Sequence, residues 1–172
     1  MDIRIVKGTA DDIDSFICFL DEVRANMEHK EWFYLDPAEE VRKMMDEGIL
    51  ELWLAKDGGR TAGAFDIIRP GRRSFNYGYD LQFSDDDLDK VINMDSAAVH
   101  PDYRGYSLQR KLIQCAEDQL LKEGEHILLC TVHPDNCYSL KNVMKQGYAI
   151  EKKLEKYGSV RYLLRKDIKN VK

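Results

Sequence analysis

The sequence predicts an α/β (α+β) fold in a single domain. Strand-like and helix-like hydrophobic patterns alternate along the chain, with short polar connections between them. Residues 91–132 have the pattern of a strand, a loop, a helix and a second strand, and such a crossover normally joins parallel strands with a right-handed turn. A chain of 172 residues is long enough to bury one continuous core, so we expect one domain over residues 1–172.

The beginning of the chain predicts one strand followed by two helices. Residues 3–7 alternate apolar and polar side chains, as a strand does. Thr9 is a suitable N-cap for a helix that runs to about Glu28, because apolar residues recur there at three- and four-residue steps. A second helix is indicated by Asp36 before its start, Pro37 at its first position and Gly48 just past its end.

Two hydrophobic runs predict a β-hairpin, and an aromatic run predicts a further extended segment. Residues 49–55 and 61–68 are short and rich in strand-forming residues, and the Lys-Asp-Gly-Gly sequence at 56–59 suits a hairpin turn. Aromatic and aliphatic residues then fall on every second position, at Phe75, Tyr77, Tyr79, Leu81 and Phe83. This period places all five on one face of an extended segment, where core packing is the first interpretation and an aromatic binding cage the second.

An acidic run follows Ser84. Ser84 with Asp85, Asp86 and Asp87 resembles a capped first helical turn, because carboxylates are favourable near the positive end of a helix dipole. A second interpretation is that these carboxylates, with Asp80 and Asp89, border a pocket for a cationic amine. The remaining patterns predict a strand at 91–99, a helix at about 107–123, a strand at 126–132, a helix at 136–146, and strands at about 149–156 and 159–167.

Composition argues against several classes of function. The net charge of −5, from 26 basic and 31 acidic residues, gives no electrostatic reason to bind nucleic acid. No segment approaches the roughly 20 apolar residues that span a bilayer, and the N-terminus has no apolar leader region, so we expect a cytoplasmic protein without membrane contact. The four cysteines lack paired spacing and are expected to be free thiols. Cys130, His133 and His100 show no recognised metal-ligand spacing, so no metal site is predicted.

The loop before the helix at 107–123 is a candidate phosphate site. A helix that starts directly after a strand presents unpaired N–H groups and the positive end of its dipole. Gly105 permits a tight turn, Ser107 can cap the helix, and Arg104 and Arg110 add positive charge. Many strand-loop-helix units bind no phosphate, so this pattern alone leaves cofactor binding open.

Two motifs in this half of the chain resemble those of the GNAT superfamily of N-acetyltransferases. The family's cofactor loop, V-x-P-x-Y-R-G-x-G-x-G, is matched at Val99, Pro101, Tyr103, Arg104 and Gly105, whereas Ser107 and Gln109 replace its later glycines. A second family element, N-x-x-A/S before a helix that ends in K-x-G-F/Y, is matched at Asn136, Ser139, Lys145, Gly147 and Tyr148. The order of elements also agrees, so the resemblance covers nearly the whole chain.

The resemblance implies a GNAT-like fold and an acetyl-CoA site. It implies a mixed, mostly antiparallel sheet of seven strands, flanked by about four helices and splayed between strands four and five. Acetyl-CoA would lie in the splay, with its pantetheine arm on the backbone of Ala97, Ala98 and Val99. Its pyrophosphate would accept hydrogen bonds from the N–H groups of Arg104, Gly105, Tyr106, Ser107, Leu108 and Gln109, near Arg110, and the family element at Asn136 and Ser139 would complete the site.

Asp95 is the first candidate for the catalytic base. Many family members carry a glutamate four residues before the valine that corresponds to Val99, and Asp95 occupies that position. A carboxylate in an otherwise apolar strand is partly desolvated, which raises its pKa toward a useful range. The alternative is that Asp95 faces solvent or pairs with a nearby cation.

The general acid is not evident from the sequence. The family's usual tyrosine corresponds to Val143, Tyr138 points elsewhere on the helix, and Tyr148 is expected to pack on the sheet. Water or Ser139 would then protonate the thiolate. Cys137 lacks the histidine and orienting group that a nucleophilic cysteine needs.

Three functions remain at this stage. The first is an acetyl-CoA-dependent N-acetyltransferase that acts on the primary amine of a small molecule or peptide by direct attack in a ternary complex. The second is a non-catalytic acyl-CoA-binding or sensor protein on the same fold, and the third is an interaction module without a ligand. The sequence leaves the acceptor and the oligomeric state open, with a homodimer among the options.

Overall fold

Seven strands form one mixed sheet in the computed structural model, which describes residues 2–169. The strands are β1 (Ile3–Lys7), β2 (Leu50–Asp57), β3 (Arg60–Ile68), β4 (Val91–Val99), β5 (His126–Val132), β6 (Ala149–Lys156) and β7 (Ser159–Ile168). The helices are α1 (Ile13–Ala25), α2 (Ala38–Asp46), the short α3 (Asp85–Leu88), α4 (Leu108–Glu123) and α5 (Cys137–Lys145). The seven strands and the four longer helices were all expected from the sequence.

The strand order is β1-β2-β3-β4-β5-β7-β6, and the sheet is not closed. β1 with β2, β2 with β3, β5 with β7, and β6 with β7 pair antiparallel, whereas β4 and β5 are parallel. The parallel pairing runs from Val91↔Ile127 to Asn93↔Leu129. β5 continues to Val132 in register with β7. The mixed, mostly antiparallel sheet with a splay between its fourth and fifth strands is therefore confirmed.

The chain forms two compact units, each with its own hydrophobic cluster. The first contains the residues up to Ile68 together with Asp95–Glu117, and in it α1 and α2 pack on β2 and β3. Its cluster includes Phe16, Leu20, Val41, Leu52 and Ile68. The second contains Arg69–Met94 and the described residues from Asp118 onward, with a cluster of Tyr77, Val91, Ile127, Leu129 and Leu163.

The prediction of an extended segment from the aromatic run at 75–83 is wrong. Tyr77–Leu81 is a 3₁₀ helix, and Gln82 follows in the left-handed region with φ of 57°. The buried Asn76 side chain determines this turn, because its Oδ1 accepts a hydrogen bond from Gly78 N and its Nδ2 donates to the carbonyl oxygens of Gly71 and Leu88. The aromatic residues consequently do not share one face. Tyr77 is buried, whereas Tyr79 is 44% exposed.

The acidic run after Ser84 forms a capped helical turn, which confirms the first of its two interpretations from the sequence. The Ser84 hydroxyl accepts a hydrogen bond from Asp87 N at the start of α3. Arg72 forms ion pairs with both Asp85 and Asp89. Since basic side chains of this unit already neutralise these carboxylates, the alternative of an amine pocket at this run is not favoured.

Two further features concern the chain as a whole. None of the helices in the described part of the chain is both long and apolar enough to cross a membrane. No disulfide bond joins the four cysteines, Cys18, Cys115, Cys130 and Cys137, as expected.

Candidate active site

Four aspartates of the first unit line one pocket, and three of them, besides Asp21 of α1, come from separate parts of the fold. Asp95 lies on β4, Asp66 on β3, and Asp36 directly before α2. The free volume of the pocket is about 370 Å³, part of it open to solvent. Its other wall is apolar and consists of Phe16, Ile17, Leu20, Leu35 and Val41. The pocket therefore places several carboxylates against a hydrophobic surface.

Ser96 connects two of the three carboxylates. Its backbone N–H donates to Asp66 Oδ1 at 3.0 Å, and its hydroxyl donates to Asp95 Oδ2 at 3.1 Å. Asp66 is only 2% exposed, whereas Asp95 is half-buried. Asp95 thus stands at the accessible side of the pair, where it can meet a substrate.

Burial and mutual repulsion raise the pKa of two of these aspartates. Burial, with a contribution from Asp95, raises the pKa of Asp66 well above its usual value. Burial, together with the negative charges of Asp95 and Glu40, raises the pKa of Asp36 to about 7. Burial also raises the pKa of the Tyr34 phenol, and Asp36 adds to that effect. At neutral pH the group therefore holds fewer negative charges than it has carboxyls.

The three carboxylates do not form a metal-binding arrangement. Within residues 2–169, no group of three or more histidine, cysteine or acidic side chains is placed to hold a metal ion. Hard cations such as Mg²⁺ and Ca²⁺ need several oxygen ligands converging on one point. The raised pKa values of Asp36 and Asp66 indicate that protonation reduces the repulsion between these carboxylates.

The raised pKa of Asp36 predicts a pH-dependent loss of stability. Because its pKa is higher in the folded than in the unfolded chain, the folded protein binds more protons between about pH 4 and about pH 7. The stability is therefore greatest at the acidic end of this window and falls as the pH rises through it. We expect Asp36→Asn to raise Tm at pH 8 by about 2–4 °C or more, the shift that 1 kcal/mol produces in a protein of this size.

Thermal melts at pH 5 and pH 8 check this expectation. Asp36→Asn should have a much smaller effect at pH 5, where the wild-type carboxyl is mostly protonated. Glu39→Gln, an exposed substitution on α2, is the matched control and should shift Tm equally at both pH values. A Tm of Asp36→Asn that is lowered equally at pH 5 and pH 8 would contradict the assignment, because Asp36 would then stabilise the fold instead.

The loop between β4 and α4 has the backbone that the sequence motif indicated. Gly105 has φ of 88° and Ser107 has φ of 58°, both in the left-handed region. Ser107 replaces a glycine of the family motif, so its conformation explains why glycine is usual there. An L-residue in this region costs about 1–2 kcal/mol. The loop thus keeps a strained turn that exposes its backbone, as anion-binding loops do.

The first turn of α4 follows this loop directly. Lys111 N donates to Ser107 O at 3.0 Å at the start of this helix. The N–H groups of a first helical turn point away from the helix, toward its N-terminal end. Arg104 and Arg110 are both exposed on either side of the turn. This combination of amides, dipole and positive charge suits a phosphate group. One amide of the pyrophosphate site expected at 104–110 is already engaged, because Arg104 N donates to Pro101 O at 3.2 Å. The expected site would therefore use the amides that follow Arg104.

Side chains of the β2–β3 hairpin hold the loop in place. The buried Tyr103 donates its hydroxyl hydrogen bond to Asp57 Oδ2 at 3.0 Å, and the Arg60 guanidinium lies 5.5 Å from the centre of its ring. Arg60 also donates to Asp102 Oδ2 at 2.9 Å. Since Tyr103 and Asp102 directly precede Arg104 and Gly105, this network fixes where the turn begins.

Gly63 on β3 allows α4 to approach the sheet closely. A Cβ atom there would stand 3.2 Å from the Ala98 carbonyl oxygen and 3.7 Å from Leu108 Cβ. Ala98 and Leu108 belong to the segments expected to hold the pantetheine arm and the pyrophosphate. The absence of a side chain at Gly63 therefore lets the end of β4 and the start of α4 pack against one strand.

The structure brings most of the expected site residues into the first unit. Asp95, Ala97, Ala98 and Val99 lie on β4, and the loop with the first turn of α4 supplies Arg104, Gly105, Tyr106, Ser107, Leu108, Gln109 and Arg110. Asn136 and Ser139 belong to the second unit, where Asn136 Oδ1 accepts a hydrogen bond from Ser139 N. This bond caps α5, so the family element at Asn136 has at least a structural role.

The candidates for a tyrosine acid are placed as the sequence indicated. Val143, at the position of the family's usual tyrosine, is buried. Tyr148 is also buried, with the Lys166 ammonium 5.6 Å from the centre of its ring. Tyr138 is 70% exposed on α5. None of these three residues shows the environment of a positioned proton donor.

Sequence reasoning missed Asp36 and Asp66. Asp36 was interpreted only as a helix-start signal, which its position before Pro37 and α2 also explains. Asp66 interrupts an otherwise apolar strand, the same signal that singled out Asp95. Applied consistently, that signal would have found Asp66, whereas Asp36 required the packing of α1 and α2.

Comparison with known proteins agrees with this description. Residues 20–148 match the model of the "Acetyltransferase (GNAT) family". None of the curated proteins compared matches the sequence.

Several solved structures share the fold at low sequence identity. An acetyltransferase of the GNAT family from Streptococcus pneumoniae is 18% identical, covers 97% of this chain and 99% of its own, and has a TM-score of 0.72. YncA from Salmonella typhimurium, solved with its cofactor acetyl-CoA, is 14% identical over 100% of this chain and 96% of its own, with a TM-score of 0.70. The aminoglycoside acetyltransferase AAC(6')-Ib, solved with coenzyme A and kanamycin, is 12% identical over 96% and 94%, with a TM-score of 0.68.

Proposed function

Because the chain belongs to the acetyltransferase (GNAT) family, we propose that it is an N-acetyltransferase that uses acetyl-CoA as acetyl donor. The acceptor is the primary amine of a small molecule or peptide, which attacks the thioester directly in a ternary complex. The observation that carries this proposal is the arrangement of β4. Asp95 lines the pocket, and the strand continues through Ala97–Val99 into the cofactor motif.

Bound acetyl-CoA supplies the reactive thioester, and the residues of this chain bind and orient both substrates. The amides of the loop at 105–109, with the side chains of Arg104 and Arg110, take the pyrophosphate. A strand N–H near Ala97 donates to the thioester carbonyl as an oxyanion-hole donor. Holding amine and thioester together supplies on the order of 7–11 kcal/mol of the barrier reduction.

Asp95 acts as the general base. It accepts a proton from the acceptor nitrogen, whose lone pair then forms the bond to the acetyl carbon. Water passes the second proton of the nitrogen to the sulfur that leaves, since Val143 stands where the family usually has a tyrosine. The hydroxyl of Ser96 donates to Asp95 Oδ2 and so orients the carboxylate.

Two measurements test this function together. Acetyl-CoA at 100 times its Kd should stabilise the protein by about 2.7 kcal/mol, and an amine library should contain acceptors that release free CoA thiol. Dephosphorylated pantetheine thioester, which lacks the pyrophosphate, is the matched ligand control and should stabilise the protein far less. The absence of any thermal shift with acetyl-CoA would refute the proposal.

A second candidate is a non-catalytic acyl-CoA-binding or sensor protein on the same fold. The buried Val143, which cannot donate a proton, and the serine at position 107 favour it. The same pair of measurements separates the two candidates. A thermal shift with acetyl-CoA, without thiol release from any amine, would support the sensor.

A further inference from the structure

The pocket beside Asp95 has a charged end and an apolar wall. Asp36 and Asp66 stand with Asp95 at the charged end, and none of the described lining residues is basic. α1, the segment before α2, and α2 itself provide the apolar wall. Acetyl transfer needs one base, so the two additional carboxylates and the apolar wall call for a separate explanation.

Asp36 is the carboxylate best placed to receive a charged ligand. It is only partly buried, whereas Asp66 is 2% exposed and accepts the Ser96 amide hydrogen bond. Tyr34, on the same segment, and Glu40 on α2 act on it, as do Asp66 from β3 and Asp95 from β4. Asp21 of α1 lines the same pocket. The ionisable groups that face Asp36 are thus acids, which favours a cation among them.

We infer that Asp36 determines acceptor specificity by binding the ammonium group of a small aliphatic primary amine. The carbon chain of this amine lies against Phe16, Leu20 and Val41. The inference rests on the proposed function, since Asp95 in the same pocket is the base of that reaction. Asp36 binds the amine as its cation, and Asp95 then accepts one proton from the same nitrogen, which leaves the neutral amine that attacks the thioester.

The apolar wall favours an alkyl amine over the amine of a peptide. A peptide would bring amide N–H and C=O groups against Phe16 and Leu20, where they would lose hydrogen bonds to water. Burial of methylene groups in the same place is favourable, because their hydrophobic surface is removed from water.

Ionisation of Asp36 makes this binding depend on pH. Burial and the charges of Asp95 and Glu40 raise the pKa of Asp36 to about 7, so its carboxyl is mostly neutral at pH 6 and mostly ionised at pH 8. An alkyl ammonium ion, with a pKa of about 10 like that of lysine, stays charged over this range. The affinity for the amine should therefore rise about tenfold from pH 6 to pH 8.

Direct binding of 1-aminobutane to the full chain tests the inference without any acetyl donor. Ligand-observed NMR titrations at pH 6 and pH 8 compare the wild type with Asp36→Asn and with Glu39→Gln, an exposed carboxylate on α2 outside the pocket. We expect the tenfold pH effect in the wild type and in Glu39→Gln, and none in Asp36→Asn. The alcohol 1-butanol, which has the same chain without the charge, should show no such effect in any of the three proteins.

Several outcomes would overturn the inference. These are equal amine affinity in wild type and Asp36→Asn, preservation of the pH effect in Asp36→Asn, or tighter binding of a dipeptide amine than of 1-aminobutane. Asp36→Glu, which keeps the charge, should restore part of the binding, whereas a structural defect would not be rescued in this way. Thiol release from acetyl-CoA is measured separately. Asp36-dependent amine binding without thiol release would refute the proposed function and leave the ammonium site standing.

Discussion

Asp95→Asn is expected to lower kcat by about 10²–10⁴-fold, the usual contribution of a positioned general base. Asparagine has nearly the same shape as aspartate but cannot accept the proton. The Ser96 hydroxyl, which donates to Asp95 Oδ2, can still donate to the asparagine carbonyl oxygen. The pocket should therefore keep its form while the reaction slows. The kcat is measured by steady-state kinetics with any amine whose acetylation releases free CoA thiol.

The affinity for acetyl-CoA provides the control for Asp95→Asn. Asp95 lies on β4 before the cofactor segment, so the Kd of acetyl-CoA should stay within about twofold of the wild-type value. Asp36→Asn gives a useful contrast, because loss of a binding contact raises KM more than it lowers kcat. Retention of more than about a tenth of the wild-type kcat in Asp95→Asn would rule out this residue as the base.

Gly105→Val is expected to weaken acetyl-CoA binding by at least about 10–100-fold. Gly105 has φ of 88°, a conformation that a β-branched residue adopts only with strain. The backbone of the loop must therefore move, and the amides that follow it no longer point at the pyrophosphate. Each hydrogen bond to a charged group is worth about 1.5–3 kcal/mol, so the loss of one or two such bonds gives this change in Kd. Calorimetric titration with CoA measures it.

Gly158→Val is the matched control for Gly105→Val. Gly158 has φ of 73° in the turn between β6 and β7, and a Cβ atom would meet nothing within 4 Å at either position. Both substitutions should lower Tm by similar amounts, but only the change at Gly105 should affect CoA binding. An unchanged Kd for CoA in Gly105→Val would show that the loop does not bind the cofactor.

The sequence predicted most of the secondary structure because those signals are local. The three- and four-residue steps in α1 and the glycine past the end of α2 each act within one or two turns of chain. The same is true of Ser84, whose hydroxyl accepts a hydrogen bond only three residues away. The loop motif at Arg104 and Gly105 is also local, and the positive φ of Gly105 and Ser107 explains its residue types.

The error at residues 75–83 has a long-range cause. The alternating aromatic residues favoured an extended segment, but Asn76 contacts Leu88 twelve residues away. Tyr77 N also donates to Asn93 Oδ1 on β4. A period of two describes which side chains are apolar and says nothing about such partners. Tertiary hydrogen bonds therefore overrode the local preference for a strand.

The sequence by itself indicated the family, the order of strands and helices and the cofactor motif, and it predicted Asp95 as the catalytic base. Only the tertiary structure placed Asp36 and Asp66 beside Asp95, because these residues lie on three separate elements that packing of α1 and α2 on the sheet brings to one pocket. The raised pKa values of Asp36 and Asp66 arise from that burial and from their mutual repulsion. A pKa of this kind depends on which charges are neighbours in space, and no pattern along the chain records that.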